Sequence, residues 1–145
     1  MIVVATNHAR RLIAAHDRIA DEYDLWLEVV LESITLARLI VDMITDKKGE
    51  NIVLMDLREV SLIADYFVIG SAPSERQLNA ISEYIRDEVK DQSETYPVRI
   101  EGRGNSGWVL MDYGDVVVHL FDPELRSYYD LEGLWRDANV LVKVQ

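Results

Sequence analysis

The sequence contains no cysteine. Disulfides and thiolate metal sites are therefore excluded, and the absence fits a reducing compartment. Proline is scarce, with three residues, and glycine numbers seven, which excludes collagen-like and linker-rich architectures. No apolar run approaches the ~20 residues that span a bilayer; blocks such as Leu39-Ile40-Val41 and Val116-Val117-Val118 are far shorter. Basic residues are in deficit: 15 Lys and Arg face 26 Asp and Glu, a net charge of −11. Such a chain repels a phosphate backbone, so little direct nucleic-acid contact is expected. The same charge steers it toward a basic partner. The start does not read as a targeting signal. Ile2-Val3-Val4-Ala5 is too short for a signal-peptide core and the Arg10-Arg11 pair follows it, while Asp17, Asp21, Glu22, Asp24, Glu28 and Glu32 are foreign to a transit peptide. The expectation is a cytoplasmic protein with no membrane association.

What is present suits one globular domain. A chain of 145 residues with 49% hydrophobic and 28% charged residues can bury a real core. Leu12, Ile19, Tyr23, Trp26, Leu27 and Val30 recur at helical spacing and predict an amphipathic helix over 7–31, with Asn7 as N-cap. Ser33 marks a restart before a second helical stretch, 34–47, carrying Leu36, Leu39, Ile40 and Met43-Ile44. One long helix or two both fit the pattern. Lys47-Lys48-Gly49 closes it. Short apolar runs at 52–55 and 66–69 predict buried strands, and Gly70-Ser71-Ala72-Pro73 a turn. Ser74 and Gln77 form a capping-box pattern that opens a helix to about 92, with Leu78, Ile81, Ile85 and Val89 inward. Strands follow at 97–100, 108–113 and 115–121. Asp122-Pro123 starts a short helix, Asp130 caps a last turn, and Val140-Leu141-Val142 is an edge strand or tail. The fold class is α/β (α+β): a single domain with a mixed β-sheet and flanking helices.

A two-residue loop at Tyr113-Gly114 would pair Trp108 with His119, Leu110 with Val117 and Asp112 with Asp115. Side chains alternate between sheet faces. Val109, Met111, Val116, Val118 and Leu120 then form an aliphatic core face. Trp108, Leu110, Asp112, Asp115, Val117 and His119 share the other. A Trp among carboxylates suits an interface with a basic partner; helices covering that face would instead make Trp108 core. Tyr128, Tyr129 and Trp135 form a second aromatic group of the kind enriched at interfaces.

Catalytic signals are weak. Gly70-Ser71 before a capped helix is similar to the start of a nucleotidyltransferase fold, but the later strand Val98-Arg99-Ile100-Glu101 lacks the spaced carboxylate pair that would hold metal there. Asp112 and Asp115 are three apart across a turn, with no third ligand evident. His8, His16 and His119 show no metal spacing, and no dinucleotide, phosphate-loop or zinc-protease motif is present. A binding protein without cofactor or metal is the expectation. The rivals left open are a metal-dependent nucleotidyltransferase or hydrolase with a degenerate site, and an adaptor dimer.

Several motifs in order carry a family resemblance: Asp65-Tyr66-Phe67-Val68-Ile69, Ser74-Glu75-Arg76-Gln77, Glu101-Gly102, Trp108-Val109-Leu110-Met111-Asp112, Gly114-Asp115-Val116-Val117-Val118-His119, Tyr128-Tyr129-Asp130-Leu131-Glu132 and Leu134-Trp135. The chain resembles the Iojap / ribosomal silencing factor (RsfS) family. The resemblance implies a fold similar to a nucleotidyltransferase domain without its catalytic carboxylates. It implies binding to the large ribosomal subunit through a basic ribosomal protein of the L-fourteen family. It further implies a block to small-subunit joining, repression of translation when nutrients run short, and a homodimer of the free protein. Trp108 carries over as a partner contact. Asp112, Tyr113, Asp115 and His119 join it from the hairpin geometry, and Tyr128 and Tyr129 from the second aromatic group. Residues 1–32 precede the matching domain, 33–145, and read either as a regulatory or dimerising helical extension or as the product of an upstream start choice.

Overall fold

A computed structural model describes the backbone of residues 22–145 and the side chains of 32–145. Residues 7–21 of the helix expected over 7–31, with its Asn7 cap, lie outside the described residues. The chain order is α1 (Glu22–Asp46), β1 (Glu50–Asp56), β2 (Tyr66–Ser71), α2 (Glu75–Ser93), β3 (Arg99–Glu101), a 3-10 turn (Gly104–Ser106), β4 (Trp108–Asp112), β5 (Val116–Phe121), α3 (Pro123–Tyr129), α4 (Leu131–Leu134) and β6 (Asn139–Val144). The strands form one six-stranded mixed sheet, β3-β4-β5-β2-β1-β6. β2 and β5 are its parallel centre, and the other pairings are antiparallel. The C-terminal segment is an edge strand on β1 rather than a tail.

Both long helices cover one face. Leu36, Ala37, Ile40 and Ile44 of α1 and Leu78, Ile81, Ile85 and Val89 of α2 pack on Ile52, Leu54, Val68, Val109, Met111, Val118 and Leu120. The described part of α1 does not restart at Ser33. It runs unbroken, and Ser33 is buried inside it, donating its hydroxyl to Asp115. The start of α2 clamps the end of α1. Ser74 Oγ accepts from the Gln77 backbone N–H at 3.2 Å, as a cap should. The Gln77 amide does not return to Ser74. It donates to the carbonyls of Lys47 and Lys48 at 3.4 and 3.1 Å, the orphan acceptors of the α1 terminus.

Gly70-Ser71 is strand, not turn. β2 stays paired with β5 through Ser71 and Phe121, and the Ala72 N–H still donates to the Phe121 carbonyl. Gly70 is needed for closeness: a Cβ there would stand 3.2 Å from Ile44 Cγ2, where α1 crosses the strand.

The hairpin register differs from expectation by two residues. Trp108 faces Phe121, Leu110 faces His119 and Asp112 faces Val117. The turn is centred one residue later, on Gly114-Asp115, closed by the Tyr113 N–H donating to the Val116 carbonyl. Gly114 takes φ 89 at the first loop position, the conformation glycine supplies there in a II′ turn. The Asp112 carboxylate accepts from the Gly114 N–H, and the Asp115 carbonyl accepts from Asp65 and Tyr66 of the neighbouring strand end. A shift of two preserves face parity, so the aliphatic face is core as expected.

Candidate partner-binding face

The second sheet face is only partly covered. Val53, Met55, Phe67, Ile69, Val117 and Phe121 are buried there, with Leu125, Leu131, Trp135 and Ala138 of the C-terminal turns packed over them. Those turns are fixed by local chemistry. Asp122 caps α3 by accepting from Leu125 N–H, with Pro123 at the first helical position. Asp130 caps α4 by accepting from Gly133 N–H. Arg126 pins both to the sheet: it donates to Ser71 Oγ at 2.8 Å and, in a fork, to Glu132 at 2.9 and 3.2 Å.

On the β3–β4 side, α3 reaches the Trp108 end of β4. Trp108 is half-buried on β4, stacked on Phe121 at 4.8 Å and touching the Tyr129 ring at 4.7 Å. Its indole N–H donates to His119 Nδ1 at 3.2 Å. The indole thus meets three aromatic side chains yet stays partly exposed, the composition of an interface anchor. Two adjoining grooves share Leu110. One is lined by Glu101, Ser106, Trp108, Leu125 and Tyr129. The other is lined by Ile63, Phe67, Val98, Arg99, Asp112, Val117 and His119. Two exposed apolar side chains, Ile63 and Val98, stand in the wall of the second.

The structure sorts the residues expected here. Trp108, Asp112, Tyr128 and Tyr129 border the open surface. Asp112 pairs with Arg99 at 3.4 Å, and Arg99 also meets Glu101. His119 lies beneath that surface, buried, and contacts Trp108 rather than either hairpin carboxylate. Burial lowers its pKa to about 4. Tyr113 and Asp115 are corrections. Tyr113 is fully buried in the core under α1 and α2; it extends the alternation of Val109 and Met111, so it falls on the helix side. Asp115 is buried too and turns to Ser33 on α1. Asp112 and Asp115 therefore serve opposite sides of the sheet. Among the described residues, no three His, Asp or Glu side chains gather closely enough to hold a metal ion. Sequence reasoning passed over Ile63, Val98 and Phe121 here. Only the register places Phe121 behind Trp108, and the first two lie in connections whose position pairing rules do not set.

A family model described as "Ribosomal silencing factor during starvation" matches residues 30–145. The chain belongs to this family. A ribosomal silencing factor RsfS of Halalkalibacterium halodurans is 43% identical over 103 residues, covering 71% of this chain and 87% of the relative. The mouse protein named "Mitochondrial assembly of ribosomal large subunit protein 1" is 35% identical over 67% of this chain and 43% of its own length. A crystal structure of a Chromobacterium violaceum protein superposes with a TM-score of 0.67 at 31% identity, over 70% of this chain and 84% of that one. The open face is thus carried by the region that matches the family, on β3, β4, β5 and α3.

Proposed function

We propose that this chain docks its open sheet face on a basic L-fourteen-family protein of the large ribosomal subunit. Its body then fills space that the small subunit needs on joining, and translation initiation is repressed, chiefly under nutrient limitation. The observation that carries the reading is the half-open Trp108, held among Phe121, His119 and Tyr129 on β4, in a chain of net charge −11. Family membership supplies the ribosomal context, and the mouse relative's name ties a family member to large-subunit assembly. The reading includes a cytoplasmic location, a homodimer when free, and residues 1–32 as an extension preceding the 33–145 domain. It gives the protein a regulatory role without catalysis.

The nucleotidyltransferase rival has less support: its would-be carboxylates, Asp112 and Asp115, are occupied by Arg99 and Ser33 on opposite sides of the sheet. Co-sedimentation with separated subunits tests the proposal. Binding to the large subunit alone is expected, and Trp108→Ala should weaken it about thirty-fold, the equivalent of about 2 kcal/mol. Binding to neither subunit overturns it.

A further inference from the structure

The tautomer of His119 follows from its neighbour. An indole nitrogen only donates, so the 3.2 Å contact from Trp108 Nε1 makes Nδ1 of His119 an acceptor. The proton of the neutral ring then sits on Nε2. That Nε2 is buried and has no hydrogen-bond partner. Phe67 stands edge-on to the ring, with centroids 4.6 Å apart, a geometry worth at most a weak contact. Roughly nine in ten buried polar groups find a partner, and an unpaired one costs about 1–3 kcal/mol.

The position of Nε2 points to where a partner would come from. Nδ1 and Nε2 lie on opposite edges of the imidazole. The Nδ1 edge meets Trp108, which lines the first groove. His119 itself lines the second groove, which Trp108 does not reach. The Nε2–H edge therefore lies under the second groove, whose walls include Ile63, Phe67, Leu110 and Val117. The charged groups of this groove, Arg99 and Asp112, already pair with each other, and the rest of its lining is largely apolar, so a neutral carbonyl enters at less desolvation cost than a carboxylate.

We propose that this groove is a subsite for the partner: an apolar side chain fills it, and a backbone carbonyl next to that side chain accepts from His119 Nε2–H. The inference rests on the ribosomal-protein reading of the same face. Nε2 is closed off from solvent while His119 lines the groove, so the subsite requires a rotamer change of an adjacent apolar side chain on docking. Such changes are ordinary at interfaces. His119 then has two tasks, orienting Trp108 through one nitrogen and reading the partner through the other.

The test uses the full chain with 15N-labelled histidine and the purified L-fourteen-family protein as probe. His119→Gln assigns the His119 signals against those of His8 and His16. The free protein should show the Nε2–H tautomer. On binding, that proton should move downfield and exchange more slowly. Two variants separate the tasks. His119→Asn keeps an acceptor near Nδ1 and removes the outer donor; His119→Gln keeps a donor near Nε2. The Gln variant should bind about tenfold more tightly than the Asn variant. No binding by the wild type overturns the ribosomal-protein reading and the subsite with it. Binding with Nε2–H unmoved, or with Asn equal to wild type, overturns the subsite alone.

Discussion

Ser33 on α1 donates its hydroxyl to the buried carboxylate of Asp115, in the β4–β5 turn, across 3.3 Å and 82 positions of sequence. The contact ties the first helix to the hairpin, and it is made to a buried acid. Burial, helped by the nearby Asp65 carboxylate, raises the Asp115 pKa to about 6. The folded chain then holds a proton that the unfolded chain, titrating near 3.8, releases. Folding stability from this group falls as pH rises from about 4 to about 6. His119 acts with the opposite sign. Its pKa drops from 6.5 to about 4, so the unfolded chain binds more protons between those values and stability rises with pH. The two slopes offset each other. Asp115→Asn keeps an acceptor for Ser33 and removes the charge. Its stability should climb by about 2 kcal/mol between pH 4 and 6.5, a steeper rise than wild type, with a higher melting midpoint at neutral pH. Denaturation curves across that range check it; a slope no steeper than wild type counts against the assignment.

Tyr113 gives a second prediction. Its ring is fully buried, its hydroxyl has no hydrogen-bond partner, and burial pushes its pKa up. Tyr113→Phe removes an unpaired polar group without opening a cavity. Stability should hold or rise by about 1 kcal/mol, and ribosome binding should not change. A loss above about 1 kcal/mol in urea denaturation would show that the hydroxyl is in fact satisfied.

The two hairpin corrections show how much the sequence carries. Alternation along β4 placed Val109 and Met111 correctly, and one further step would have placed Tyr113 with them. Assigning Tyr113 to the loop broke that chain of parity. The turn sits one residue later than expected, where the Asp115 carbonyl accepts from Asp65 and from Tyr66 at the start of β2, a demand invisible within the hairpin itself. Asp115 likewise turns inward for Ser33, far away in sequence. Local signals fared better: the Asp122-Pro123 start and the Ser74 cap depend on residues within three positions. Trp108 was legible as an anchor, but its support was not. Stacking on Phe121 follows from the shifted register, and contact with Tyr129 from the way α3 folds back.

That fold-back depends on Arg126. Its guanidinium is nearly buried between Ser71 Oγ and the Glu132 carboxylate. Arg126→Ala would leave both without their charged donor and free α3 from the end of β2. A stability loss of about 2 kcal/mol is expected. Because Tyr129 rides on α3, binding to the large subunit should weaken as well. Hydrogen exchange should locate the loosening in 123–135; exchange there at the wild-type rate would show that capping alone holds these turns.

Trp108 and Tyr128 separate contact from architecture. Trp108 is packed against Phe121 and His119, so Trp108→Ala should lower both affinity and melting midpoint, the latter by about 2 kcal/mol of stability. Tyr128 is 77% exposed and meets only the edge of Tyr129, at 5.1 Å. Tyr128→Ala should leave stability within about 0.5 kcal/mol of wild type. If the open face is the docking surface, it should still weaken large-subunit binding several-fold, and the effect should persist at raised salt because the lost contact is apolar. Wild-type affinity for Tyr128→Ala would confine the docking surface to Trp108 and the grooves beside it.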